Sequence, residues 1–248
     1  MRWFKLTLAY DGTNYCGWQV QPGRITLQET LEAALTSITG QPIRVTASGR
    51  TDAGVHALGQ VVGFASETHL EPAVLQKALN GTLPLDMAVV SAEIAHQGFH
   101  ATHDAKRKTY RYTIDDGPVR DVFARHYAWQ HRSPLDVEAM RRAATTLVGT
   151  HDFSSFESHG SPRENSVRTV YSLSIERLPA PATTRIILEI EGNGFLYNMV
   201  RAIVGTLVDV GRGAESEAWP GEVLAARDRS AAGQTAPAHG LCLVRANY

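Results

Sequence analysis

Three patterns in this 248-residue chain predict an α+β protein built as two ferredoxin-like halves. Stretches that alternate apolar and polar residues read as strands. Stretches with apolar residues three and four apart read as helices. Their order, βαββαβ, occurs twice, which is the split-βαβ pattern.

The first half opens with Phe4, Leu6, Leu8 and Tyr10 in alternation, ending at the turn signal Asp11-Gly12. Thr26 and Glu29 form a capping box for a helix that carries Leu27, Leu31, Ala34, Leu35 and Ile38 and stops at Gly40. Strands follow at Ile43–Ala47 and Gln60–Phe64, with a glycine-flanked loop between them. Pro72 starts a second helix, with Val74, Leu75, Ala78 and Leu79 on its apolar face and its end near Gly81. Met87–Ile94 completes the set.

The second half repeats the order without a residue-level repeat. Tyr110, Tyr112 and Ile114 alternate in one strand. Ser133 and Pro134 begin a helix bearing Val137, Met140, Ala144 and Leu147, closed by Gly149. Val167, Thr169, Tyr171, Leu173 and Ile175 form a long strand, partnered across a Pro-rich turn by Ile186, Leu188 and Ile190. Phe195–Val210 reads as a helix ended by Gly211, and Leu241–Asn247 as the last strand. Two such halves side by side leave a groove where they meet, a favoured place for a site.

Composition narrows the class of function. Hydrophobic content of 43% and charged content of 20% are ordinary for a soluble globular protein. The formal net charge of -1 argues against indiscriminate coating of nucleic acid and leaves room for a local basic cleft. Cys16 and Cys242 are the only cysteines, so no disulfide framework is expected. No apolar run at Met1-Arg2-Trp3-Phe4-Lys5 is long enough for a signal peptide, and no segment is long enough to cross a bilayer. The expected location is the cytoplasm.

Two segments carry candidate chemistry. Gly49-Arg50-Thr51-Asp52-Ala53-Gly54-Val55-His56-Ala57 places one carboxylate in a loop between two strands, beside an Arg and flanked by two glycines. The glycines permit unusual backbone angles and close approach of a ligand, and the Arg favours the carboxylate form. Asp52 is therefore either a reactive anion or a turn cap. Lys106-Arg107-Lys108 and Arg111, interleaved with Tyr110 and Tyr112, suit a surface that holds phosphates and stacks bases, or equally a solvated strand edge. His100-x-x-His103 lacks the carboxylate and helical spacing of a zinc motif, so no metal site is expected.

Six separated blocks resemble the bacterial tRNA pseudouridine synthase A family. They are Tyr10-Asp11-Gly12-Thr13 with Gly17-Trp18-Gln19; the Gly49–Ala57 loop; Phe99-His100-Ala101 with Lys108-Thr109-Tyr110-Arg111-Tyr112; Asp152-Phe153-Ser154-Ser155-Phe156 with Val167-Arg168-Thr169; Gly194–Arg201 with Gly205-Thr206-Leu207 and Val210-Gly211-Arg212-Gly213; and His239-Gly240-Leu241. One position departs. The family often has Arg directly after Phe-His-Ala, where this chain has Thr102, so that Arg's phosphate contact is not carried over.

The resemblance implies one large, mainly antiparallel sheet with helices packed on it and a central cleft. Residues 1–103 would form the half carrying the nucleophile loop, and 104–248 the half carrying the rest of the site. It implies isomerisation of uridine to pseudouridine at positions 38, 39 and 40 of the tRNA anticodon stem-loop, by a homodimer, with the target base flipped from its stack. Asp52 would be the nucleophile, Tyr110 would stack on the base and take the proton from carbon 5, and Arg201 would keep Asp52 ionised and aimed. Gln19, Arg50, His56, Lys106, Arg107, Lys108 and Tyr110 would bind substrate. His56 and His100 would brace the loop or contact phosphates. The reaction has no redox or phosphoryl-transfer step, so no cofactor or metal is expected. Two alternatives stand beside this: a pseudouridine synthase for another tRNA position or RNA, and a non-catalytic RNA-binding module.

Overall fold

A computed structural model describes residues 1–158, 165–180 and 184–248. The chain divides into two compact units, Met1–Lys106 with Cys242–Tyr248, and Arg107–Leu241. The α+β class and the mainly antiparallel pairing are as expected.

In the first unit the elements are β1 (Arg2–Tyr10), α1 (Leu27–Thr39), β2 (Thr46–Ala47), β3 (His56–Ser66), α2 (Pro72–Thr82) and β4 (Met87–Ile94). β1 pairs antiparallel with β3 on one side and β4 on the other, from Phe4 opposite Phe64 and Ile94. β2 pairs antiparallel with β3, Thr46 opposite Gly63. The order β4-β1-β3-β2 is that of a ferredoxin-like unit. The alternation in β1 sends Phe4, Leu6, Leu8 and Tyr10 into the core, together with Leu31 and Leu35 of α1 and Leu75 and Leu79 of α2. Thr26 caps α1 through the Glu29 N–H, and Gly40 closes it with φ +69°. The other sheet face is covered by Phe99, Ala101 and Tyr248. Lys5 lies over the Tyr248 ring, 4.8 Å from its centroid.

The second unit contains β5 (Arg107–Asp116), β6 (Trp129–His131), α3 (Val137–Ala144), β7 (Gly149–Asp152), β8 (Val167–Pro179), β9 (Thr184–Gly192), α4 (Met199–Gly211) and α5 (Trp219–Ala226). Strand order is β5-β9-β8-β7, all antiparallel, with β6 parallel to β5. Tyr110, Tyr112 and Ile114 share one buried face with Ile186, Leu188 and Ile190 of β9. At the far end of β5, Asp115 and Asp116 are buried but paired with Arg185 and Arg177 at 2.8 and 2.7 Å, so neither carboxylate is left uncompensated.

Several expectations shift. The last strand, β10 (Leu241–Asn247), belongs almost wholly to the first unit, because Cys242 and Leu243 pair parallel with His56 and Ala57 of β3. Residues 104–106 group with the first unit too. The strand expected at Ile43–Ala47 shrinks to two residues, since the Val45 N–H bonds the Glu32 carboxylate of α1 and not a neighbouring strand. Val74 is exposed, and α2 buries only Leu75 and Leu79. The helix after Pro134 is capped by Asp136 rather than Ser133, its carboxylate accepting from the Ala139 N–H. Helix α4 starts at Met199, not Phe195, because Asn198 sits at φ 62°, outside helical angles. The short strands β6 and β7 and helix α5 carry too little periodicity to be read in advance. The Pro-rich turn expected before β9 includes 181–183, which lie outside the described residues.

Candidate active site

The Asp52 loop is shaped by two backbone contacts that only glycine permits. Gly17 has φ +85°, and a Cβ there would sit 2.8 Å from the Thr51 carbonyl oxygen and 3.2 Å from the Asp52 carbonyl carbon. A Cβ on Gly12 would overlap the Val55 carbonyl, whose carbon lies 2.7 Å away. The segment after β1 thus lies directly on the backbone of residues 51–55. The Trp18 N–H donates to the Thr51 carbonyl at 2.9 Å. Within the loop, Val55 N–H returns to the Asp52 carbonyl, a turn with Gly54 at φ +78°.

Buried side chains fix the loop from below. The hydroxyls of Tyr10 and Thr51 bond at 2.9 Å. Gln60 donates to the Gly49 carbonyl at 2.7 Å and accepts from Ser48 at 2.6 Å. His56 is buried: its Nδ1 accepts from the Gly12 N–H at 3.1 Å and lies equally close to the Asp11 carboxylate. It braces the two loops. Tyr15 donates to Asp86 at 2.6 Å, which holds the Gly12–Trp18 segment from its other side. Against this frame Asp52 is half-buried, with its backbone held.

Not every expected partner gathers there. Arg50 is exposed and forms no ion pair among the described residues, so the charge support expected from it is not a direct contact. Gln19 is likewise exposed, next to buried Trp18. Thr102 donates its hydroxyl to the Ala47 carbonyl at 2.6 Å, tying the 95–104 segment to the strand that leads into the loop. His100 Nδ1 accepts from the N–H groups of Thr102 and His103 at 3.3 Å, a local turn bond.

The second unit holds the other candidates. Tyr110 is buried on β5, opposite Ile190, with the Phe195 ring edge-on at 5.2 Å. Strand alternation then divides the basic run. Lys108 shares the face of Tyr110 and Tyr112, whereas Arg107 and Arg111 point to the opposite face. There Arg107 pairs with Glu191 at 3.1 Å and stacks over Tyr171, and Arg111 pairs with Glu189 at 2.6 Å. Carboxylates of β9 therefore already answer two of these cations. Lys106 is exposed at the edge of the first unit.

Arg201, in the first turn of α4, is half-buried, and its guanidinium is held by acceptors on Ala236 and Asn198. Its Nε donates to the Ala236 carbonyl at 2.7 Å and its Nη1 to Asn198 Oδ1 at 2.8 Å. Asn198 in turn donates to Ser158 Oγ. The 233–236 segment can reach α4 because Gly205 faces it: a Cβ there would overlap the Gln234 carbonyl oxygen. The guanidinium charge reaches Tyr112, where it favours the phenolate, but burial dominates and pushes the Tyr112 phenol well above its ordinary range. Tyr112 donates to the Pro237 carbonyl at 2.8 Å, a second clamp on the same segment.

Gln60, Asn198, Gly205 and the Ala236 carbonyl escape a reading of the sequence for reactive groups. Gly205 alone left a signal there, since an isolated glycine inside a helical pattern marks close packing. Among the described residues no group of three or more His, Cys, Asp or Glu side chains is arranged to hold a metal ion, and no helix is long and apolar enough to cross a membrane.

Comparison with known proteins gives a concordant result. A family model described as tRNA pseudouridine synthase matches residues 7–104 and 143–248. A tRNA pseudouridine synthase A from Brevibacillus brevis is 48% identical over 248 residues, covering all of both chains. One from Moorella thermoacetica is 50% identical over 247 residues, covering 98% of each. One from Halalkalibacterium halodurans is 48% identical over all of this chain and 93% of its own. With matches of this length and identity, the chain belongs to the tRNA pseudouridine synthase family and is an isomerase of uridine in tRNA.

Proposed function

We propose that this enzyme converts uridine to pseudouridine at positions 38, 39 and 40 of the tRNA anticodon stem-loop, with Asp52 as nucleophile. The observation that supports this most is the half-buried Asp52 on a backbone that Gly12, Gly17, Trp18 and Tyr10 hold in place. A turn cap needs no such frame, whereas a nucleophile gains rate from being held in position. In the reaction the bond from the ribose anomeric carbon to N1 of uracil breaks, the base turns, and the same carbon bonds to C5. C5 loses its proton and N1 gains one. Asp52 adds to the ring at carbon 6, or attacks the sugar, or serves an elimination route. Tyr110 stacks on the base and receives the C5 proton, and Arg201 holds the Asp52 carboxylate ionised and aimed. Extraction of a base from a stem requires flipping, with selection resting on RNA shape and backbone contacts. Lys108, on the face of Tyr110, is the member of the basic run best placed to meet a phosphate near that base, with Gln19, Arg50 and Lys106 exposed as further contacts. The enzyme works in the cytoplasm as a homodimer.

Pseudouridine mapping in tRNAs from a strain lacking the protein tests the reading. Loss at positions 38–40, restored by the gene, is expected. Loss confined to another tRNA position would replace the assignment by a different target site.

A further inference from the structure

Between β5 and α3, residues 118–132 form a surface segment that no step above uses. It also falls between the two stretches matched by the family model, 7–104 and 143–248. Four of its apolar side chains face solvent: Phe123 is 86% exposed, and Val119, Val122 and Tyr127 are exposed beside it. Arg120, Arg125 and Arg132 are exposed as well. Among the described residues Arg120 and Arg132 make no ion pair or side-chain hydrogen bond, and Arg125 bonds only the Val122 carbonyl of its own turn. Elsewhere in this unit, Arg107, Arg111, Arg142, Arg177 and Arg185 each meet a carboxylate. Among the described residues, three exposed arginines without a carboxylate partner thus fall within thirteen positions.

The segment is exposed but anchored. Asp121 accepts from the N–H groups of Phe123 and Ala124 at 2.9 and 3.2 Å, and its other oxygen pairs with Arg185 at 3.3 Å. Gly117 N–H bonds the His131 carbonyl at 2.9 Å, closing the base of the loop. A surface already ordered loses less entropy when a ligand binds.

We propose that residues 118–132 form an auxiliary RNA-docking surface, in which Arg120, Arg125 and Arg132 hold tRNA phosphates and Phe123 stacks on an exposed base. This rests on tRNA being the substrate. Three cations around an exposed aromatic ring match a polyanion with π-faces. A two-fold contact with a second copy would instead bring the same three charges against themselves. Along β5, Tyr110 lies six residues before Asp116, about 20 Å at the strand rise. That is more than two Debye lengths at physiological salt. The surface therefore meets RNA away from the target uridine.

The test compares wild type with the triple variant R120A/R125A/R132A and with F123A. Affinity for whole tRNA and for an isolated anticodon stem-loop is measured across a salt series, alongside kcat and KM. The triple variant should flatten the slope of log affinity against log salt by about two to three, at roughly 0.7–0.9 per phosphate contact. KM for whole tRNA should rise at least about tenfold, with kcat and the stem-loop KM within about twofold of wild type. F123A should weaken whole-tRNA binding by about fivefold or more, as loss of one stacked base does. An unchanged slope and KM in the triple variant would overturn the proposal. So would a change traced by sedimentation to loss of the dimer, which would assign the surface to a second copy. The salt slope reads RNA contact whether or not the wild type isomerises uridine, so failure of this surface and failure of the proposed activity are distinguishable.

Discussion

Gly205→Ala isolates the role of the segment that orients Arg201. Gly205 lies in the middle of α4, where alanine in an open helix would stabilise by about 1 kcal/mol. Here the added Cβ would overlap the Gln234 carbonyl oxygen and lie 2.9 Å from its carbon, and backbone cannot rotate aside as a side chain can. The segment must lift. It is held to α4 by Gly233 N–H to Thr206 Oγ1 at 3.0 Å, Ala236 N–H to the Arg201 carbonyl at 3.1 Å and Arg201 Nε to the Ala236 carbonyl at 2.7 Å. Losing these at about 1 kcal/mol each costs about 3 kcal/mol, or about 2 net of the helix gain. For a chain of this size that lowers Tm by roughly 4–8 °C. Arg201 would lose one of its orienting acceptors, and in the role proposed for it such misplacement costs up to about a hundredfold in rate. Gly40→Ala is the control, because Gly40 has φ +69° with open space around it. It should cost about 1–2 kcal/mol from backbone strain and leave turnover unchanged. Thermal unfolding and single-turnover pseudouridine formation measure both variants. A Gly205→Ala protein with raised Tm and wild-type turnover would refute the reasoning.

Three further outcomes follow from the same contacts. Gly12→Ala pushes the Val55 carbonyl and with it the turn at Asp52, so single-turnover rate should fall at least about tenfold while filter-binding affinity for tRNA is kept. Arg201→Met keeps the apolar stem and deletes the donors to Ala236 and Asn198; a folded protein with kcat reduced at least about tenfold and unchanged tRNA Kd is expected. Burial raises the Tyr112 phenol above its unfolded value near 10, so the unfolded chain releases that proton first; the stability it contributes is complete below about pH 10 and is lost as pH rises further. Urea unfolding between pH 9 and 11 should accordingly show a shallower alkaline decline in Tyr112→Phe.

What the sequence disclosed, and what it withheld, follows from the range of each interaction. Element order was legible because periodicity is local: Phe4, Leu6, Leu8 and Tyr10 alternate, and they are buried. The Asp52 loop was legible through its glycines. The need for glycine at positions 12 and 17 was not, because the Val55 and Thr51 carbonyls that exclude a Cβ there come from residues about 43 and 34 positions away. The basic run shows the same limit. Its charges are evident in sequence, but that Arg107 and Arg111 turn away from Tyr110 to meet Glu191 and Glu189 depends on pairing with β9, about 80 residues on. Helix α4 was placed four residues early because its apolar pattern continues through Phe195 and Leu196, while the left-handed Asn198 that interrupts it answers to Arg201 and Ser158.

The central claim is that Asp52 is the nucleophile, and one measurement tests it most directly. Asp52→Asn keeps the size of the side chain and the backbone frame of Gly12, Gly17 and Trp18, and removes only the anion. Release of tritium from carbon 5 of labelled uridine in tRNA reads turnover, and filter binding reads affinity. The expected result is turnover at background with tRNA affinity retained. Turnover within about tenfold of wild type would contradict the claim and leave Asp52 as a turn residue.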